Sequence, residues 1–166
     1  VRAAVNPPDH TLRIAEVTLE PGRGHSFRTL AYNGRIPGPL LRMKEGRLTT
    51  IEVINENRDP EMVHWHGFHI PPDVDGAHEE GTPMVQGRDR RSYSFIPSPS
   101  GTRWYHTHAM AGHNLKIGSY SGQFGMVIVE PRDDPGSYDL EVPLLLHEFD
   151  PYFASASDMD LTYRIF

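Results

Sequence analysis

Between Gly46 and Pro60 runs Arg47-Leu48-Thr49-Thr50-Ile51-Glu52-Val53-Ile54-Asn55-Glu56-Asn57-Arg58-Asp59, and these 13 residues are the longest stretch free of both glycine and proline between positions 1 and 151. Helix interiors tolerate neither residue well, so a chain punctuated this often has little room for long helices. Leu48 to Ile54 is itself rich in β-branched residues and reads as a strand. The same reading repeats on either side. Arg91 to Ile96 alternates, with Tyr93 and Phe95 on one face. Leu12 and Ile14, then Val17 and Leu19, alternate with a phase slip near Ala15 of the kind a β-bulge would absorb. Phe124 to Val129 is nearly all apolar, as in a strand covered on both sides, and Val142 to Leu146 reads as another strand. Pro21-Gly22, Asn33-Gly34, Pro37-Gly38-Pro39, Pro71-Pro72, Pro97-Ser98-Pro99 and Pro135-Gly136 supply the turns. Seven or eight strands at this spacing imply an all-β sandwich or barrel with Greek-key connections and negligible helix. Ala109 to Gly122 reads as a surface loop.

The chain has 166 residues, the size of one domain, and a formal charge of −6. That charge argues against nucleic acid or an anionic membrane as partner, and no apolar run approaches the ~20 residues of a helical membrane span. There is no cysteine, which removes disulfides, thiolate zinc sites, thiol catalysis and blue-copper sites. The first residues carry neither an initiator Met nor an apolar signal core, so a mature or trimmed product is expected. Residues 1–150 read as the domain. Residues 151–166 read as a linker of small residues followed by Asp160 to Phe166, the possible first strand of a following domain, so a piece of something longer is expected.

Ten histidines remain, and four of them form two His-x-His pairs, His64-Trp65-His66 and His106-Thr107-His108. Residues i and i+2 of a strand point to the same face, about 6.6 Å apart along it, so each pair presents two imidazoles side by side. They can close on one metal or hold two adjacent ones, and nitrogen-rich donor sets without thiolate or carboxylate suit copper or zinc. A mononuclear zinc hydrolase or lyase with three histidine ligands is one reading, although it leaves the fourth imidazole spare. A copper-binding module without catalysis of its own is another.

His64-Trp65-His66-Gly67 and Trp104-Tyr105-His106-Thr107-His108 resemble the two copper motifs in the first domain of laccase-like multicopper oxidases. Tyr32-Asn33-Gly34-Arg35-Ile36-Pro37-Gly38-Pro39, Glu45-Gly46, Asn55, Val74-Asp75-Gly76 and Gly125 to Glu130 also fall where that family has similar residues, so the likeness runs from about Leu12 to Asp150. The resemblance implies a cupredoxin-like Greek-key sandwich carrying half of a trinuclear copper cluster. It places His64 on the type 2 copper, places His66, His106 and His108 on the type 3 pair, and matches Asp75 to an acid that helps deliver protons as O2 is reduced to water by four electrons. It also implies a periplasmic or secreted oxidoreductase whose partners are dioxygen, a small-molecule or metal-ion reductant, and the remaining cupredoxin domains or another subunit. The family's other four cluster histidines and its type 1 copper ligands lie in a later domain. This cysteine-free chain is therefore not expected to oxidise a substrate alone.

The four histidines are expected to converge at one edge of the sandwich, with Trp104 on the same strand face as His106 and His108. Copper binding should fade toward about pH 5, as imidazoles of ordinary pKa near 6.5 take up protons. His69, His78 and His113 read as solvent-facing or locally hydrogen-bonded, His147 as structural, and His10 and His25 carry no pattern.

Overall fold

Alternating inward side chains and short turns produce eight strands in the computed structural model, which describes residues 6–22, 25–109, 117–133 and 136–147. They are β1 (His10–Gly22), β2 (His25–Tyr32), β3 (Leu41–Lys44), β4 (Thr49–Asn55), β5 (Val63–His66), β6 (Arg90–Phe95), β7 (Gly101–Thr107) and β8 (Phe124–Glu130). A single helical turn, α1 (Pro72–Asp75), and a 3-10 turn at His78–Glu80 follow β5. One sheet has the order β2-β1-β4-β6 and the other β3-β8-β7-β5. Antiparallel neighbours dominate, but β1 runs parallel to β4 and β3 parallel to β8. Apart from the β1–β2 and β7–β8 steps, each successive strand lies in the opposite sheet, which is the expected all-β sandwich.

Period-two alternation builds the core between the sheets. Thr49, Ile51, Val53 and Asn55 of β4 point inward, as do Tyr93 and Phe95 of β6. Val63, Trp65 and Tyr105 meet them from the other sheet with no exposed surface. Trp65 packs against Tyr93, Phe95 and Tyr105 with ring centroids 5.7, 5.4 and 6.1 Å away. Because Trp65 points in, His64 and His66 on the same short strand must point out.

Three expectations change. The phase slip near Ala15 is not a bulge: β1 pairs with β2 without interruption from Ile14↔Tyr32 to Leu19↔Phe27, and the register shifts only between Leu19 and Gly22. Leu12 and Ile14 face the core, while Val17 and Leu19 lie half-buried on the other side of the strand, so one straight strand serves two surfaces. The second change is at Val142 to Leu146, which is irregular, with Leu144 73% and Leu146 93% exposed. No strand among the described residues pairs with it, and without a ladder an apolar run does not become a strand. The third is the end of the loop before β8. Ser121 is fully buried there, its hydroxyl bonded to that of Thr29 at 2.7 Å, so this segment packs into the fold. Residues 110–116, including His113, and residues 148–166, with the expected linker and new strand, lie outside the described residues.

Candidate metal centre

β5 and β7 are antiparallel partners with His64 opposite His106 and His66 opposite Trp104. Residues directly opposite share a face, so this register sets both pairs on the outer surface of one sheet. The rings of His64, His66 and His106 lie 5.3–5.5 Å apart, and their nitrogens form a group in which every ligand atom is within 4.8 Å of the others. His108 lies just past the end of β7, where its amide donates to the Met62 carbonyl at 3.1 Å. Its ring lies 5.0 Å from that of His64 and 5.9 Å from that of His106, outside the tight group of three. All four expected histidines therefore meet at one place, three closely and the fourth at the rim.

Backbone carbonyls select the tautomers. His106 Nδ1 lies 2.8 Å from the Thr107 carbonyl and His64 Nδ1 2.8 Å from that of Asp75. A carbonyl only accepts, so both rings carry their proton on Nδ1 and leave Nε2 bare. The Asp75 carboxylate adds a contact to His64 Nδ1 at 3.2 Å. His106 Nε2 in turn faces His66 Nδ1 at 3.3 Å. Without metal, His66 must place a proton between them. An ion bonded at about 2.0–2.1 Å to two nitrogens of a tetrahedral set holds those nitrogens roughly the same distance apart. The donor set fits a borderline divalent or monovalent metal such as copper: three neutral imidazoles, no thiolate, and lone pairs already aimed at one another.

Trp104 stacks on His106 at 4.1 Å and lies 4.9 Å from His66, shielding one side of the group while remaining 39% exposed. Burial pushes the His106 pKa down to about 4 against the raising effect of the Thr107 carbonyl, and the neighbouring imidazoles push the same way as burial. His66 is lowered as well, by burial and then by His64. For His106, proton competition thus falls near pH 4, below the range expected from an ordinary imidazole. The unfolded chain takes up protons that this folded histidine refuses, so the stability it contributes is full above about pH 6.5 and lost as pH falls toward about 4. Urea unfolding of the metal-free chain at about pH 7 and pH 5 should show a loss at the lower pH that is smaller in His106→Asn.

Asp75 reaches His64 because Gly76 closes α1 in the left-handed region, at φ 90°. A Cβ at position 76 would land inside the contact shell of the Val63 carbonyl and the His64 Cα. Thr82, fully buried, fastens the same loop by accepting the Gly76 amide at 2.9 Å and donating to the Pro72 carbonyl at 2.5 Å. Gly76→Ala is expected to cost more than about 2 kcal/mol in urea unfolding, from positive-φ strain plus displaced backbone.

Among the described residues, His10, His69, His78 and His147 are not part of the tight group of nitrogens. His10 donates to the Arg42 carbonyl at 3.0 Å, His78 lies 3.4 Å from the Thr82 carbonyl, and His147 donates to that of Tyr120 at 2.7 Å. His69 is exposed. The sequence reading missed the residues behind the centre, namely Glu61, Thr107, Ser119, Thr82 and Gln123. The visible signal was Glu61 itself, an acid three positions ahead of the first pair and followed by apolar Met62 and Val63.

Comparison with known proteins gives this geometry a family. Residues 13–134 match the family described as multicopper oxidase. The chain belongs to the multicopper oxidase family. Copper resistance protein A of Escherichia coli is 30% identical over 150 residues, 90% of this chain and 24% of that protein. Multicopper oxidase MmcO of Mycobacterium tuberculosis is 31% identical, over 88% of this chain and 28% of its own length. Among solved structures, the blue copper oxidase of Nitrosomonas europaea superposes with a TM-score of 0.67 at 30% identity, covering 75% of this chain and 39% of that one. This multicopper oxidase chain spans about a quarter of the length of the curated relatives it matches, and its cupredoxin-type fold is theirs.

Proposed function

We propose that His64, His66, His106 and His108 furnish one half of a trinuclear copper cluster in a laccase-like copper-dependent oxidase. The observation that carries this reading is the 3.3 Å approach of His66 Nδ1 to His106 Nε2, with His64 completing a group whose ligand nitrogens lie within 4.8 Å of one another. In the proposed assignment His64 serves the type 2 ion, and His66, His106 and His108 serve the type 3 pair. Copper bound there would take electrons derived from a small-molecule or metal-ion reductant and pass them to dioxygen. The chain's own residues orient the ligands. Thr107 and Asp75 carbonyls hold His106 and His64 in one tautomer, and Trp104 keeps water from one side of the group. The Asp75 carboxylate, 3.2 Å from His64 Nδ1, is placed to hold and release a proton at the edge of the site. Eight imidazoles and a cysteine-based electron entry are needed in the family's complete arrangement, so further domains or another subunit supply the rest. The proposed location is periplasmic or secreted. No helix among the described residues is long and apolar enough to cross a membrane.

A second reading has its own support: with no cysteine in the sequence, the chain alone is a copper-binding module rather than a complete oxidase. Calorimetric titration of the chain with Cu(II) and with Zn(II) at neutral pH tests both. Binding of Cu(II) that His10→Ala leaves unchanged is expected, with no dioxygen uptake by the chain alone. Stoichiometric binding of one zinc in preference to copper would replace both readings with a mononuclear zinc site.

A further inference from the structure

Behind the histidines lies a buried carboxylate that the proposed copper chemistry does not use. Glu61 is 4% exposed, and its backbone bridges to Val85 in both directions at 2.8–2.9 Å, which fixes the entry to β5. Its Oε2 accepts the Thr107 hydroxyl and the Gln123 amide nitrogen, each at 3.0 Å, and the Met62 amide also donates to the carboxylate. All of these partners are neutral. Burying a carboxylate without a cation is costly, so a chain that does so gains something from an acceptor-only group.

The gain lies in Thr107, the residue between the two histidines of the second pair. Its hydroxyl accepts the Ala109 amide at 3.0 Å, so its own proton has to go elsewhere, and Glu61 takes it. Its amide donates to the Gln123 carbonyl at 3.0 Å. Its carbonyl is thereby turned to the outer face, where it receives His106 Nδ1 at 2.8 Å and the Ser119 hydroxyl at 3.3 Å. Gln123 closes the network by accepting the Gly118 amide at 3.1 Å.

We propose that Glu61 is a positioning residue of the metal centre: by drawing the Thr107 side chain inward it fixes the Thr107 carbonyl, and through it the tautomer and ring orientation of His106. The consequence for metal affinity rests on the reading of these histidines as copper ligands; the consequence for the tautomer does not.

The test uses the whole chain. Long-range 1H–15N spectra of the metal-free protein report which His106 nitrogen carries the proton, and titration with Cu(II) alone gives the affinity. In the unaltered chain His106 should show a single Nδ1-protonated form. Glu61→Ala should give a mixture of both tautomers and bind Cu(II) at least tenfold more weakly. Glu61→Gln, which keeps an acceptor oxygen for Thr107, should show the single tautomer and an affinity within threefold. Met43→Ala, a core truncation in β3 at a distance from the site, should lower the melting temperature and leave both readouts unchanged. The proposal is overturned if Glu61→Ala retains the single tautomer and an affinity within twofold, if Glu61→Gln is as impaired as Glu61→Ala, or if Met43→Ala shifts the tautomer too. Should Glu61→Ala fail to fold, Thr107→Val carries the same test, with a mixed tautomer supporting the proposal and an unchanged one overturning it. A tautomer that responds to Glu61 in a chain that binds no Cu(II) would sink the copper reading and leave the positioning role standing.

Discussion

Replacing His64 and His106 together with Ala is expected to weaken Cu(II) binding by at least about a hundredfold at neutral pH. Structural zinc sites with four protein ligands, taken as the scale, gain about 10–16 kcal/mol, roughly 3 kcal/mol for each ligand, and that is about a hundredfold per ligand. Two ligands lost would give more, but His66 and His108 can still offer nitrogens, so the lower figure is the fair expectation. The pair is chosen because the two rings face each other across β5 and β7 with centroids 5.3 Å apart, so no remaining arrangement rebuilds the group of three. His10→Ala, whose ring is tied to the Arg42 carbonyl, is the control and should bind as the unaltered chain does. Competition titration against a chelator of known affinity reads the difference. A double variant within threefold of the parent would show that the metal sits elsewhere.

Trp65→Ala should be the most damaging single core change, at about 3–5 kcal/mol. The side chain is fully buried and touches aromatic rings from both sheets, so its removal leaves a cavity that β-strands cannot close by collapsing. Domains of this kind retain only about 5–15 kcal/mol in total. The loss should also reach the surface, because Trp65 pointing inward is what turns His64 and His66 outward. Urea unfolding followed by fluorescence and far-UV circular dichroism gives the energy, and Trp65→Phe should recover more than half of it. A cost under about 1 kcal/mol would contradict the packing described above.

Acid titration is opposed from within. His66 and His106, both lowered, make the folded state less stable as pH falls. Glu61 acts the other way, because burial raises its carboxyl and protonation relieves that cost. The His106→Asn comparison isolates the histidine contribution from this opposing one.

The fold was legible wherever alternation was uninterrupted. The strands expected at Leu48–Ile54 and Arg91–Ile96 could be read at once, because inward Ile51, Val53, Tyr93 and Phe95 alternate with polar Thr50, Glu52, Ser92 and Ser94. The face of each histidine followed from parity with Trp65 and Tyr105. Illegible were features that depend on a neighbour. Val142 to Leu146 has a strand's composition and no ladder to join among the described residues, and the change of face along β1 mimics an inserted residue. The cross-strand register that brings His64 against His106 is a property of two residues 42 positions apart. Glu61 was hidden for a similar reason: its partners, Thr107 and Gln123, are 46 and 62 positions away. The resemblance supplied the metal assignment, which parity alone left open between copper and zinc.

The pairing of β3 with β8 also has a consequence in time. Leu41 meets Val127, so a strand made early has its sheet partner about 86 residues later. At ribosomal rates of about 5–20 residues per second, β3 waits roughly 4–17 s before that partner exists. The other sheet can assemble meanwhile, since its last strand is complete by Phe95. The sheet that carries the histidines is therefore the last to be finished during synthesis, and until β8 arrives it leaves Leu41 and Met43 without cover. A released fragment ending near residue 110 should resist proteolysis around β1, β4 and β6 and be cut within β3.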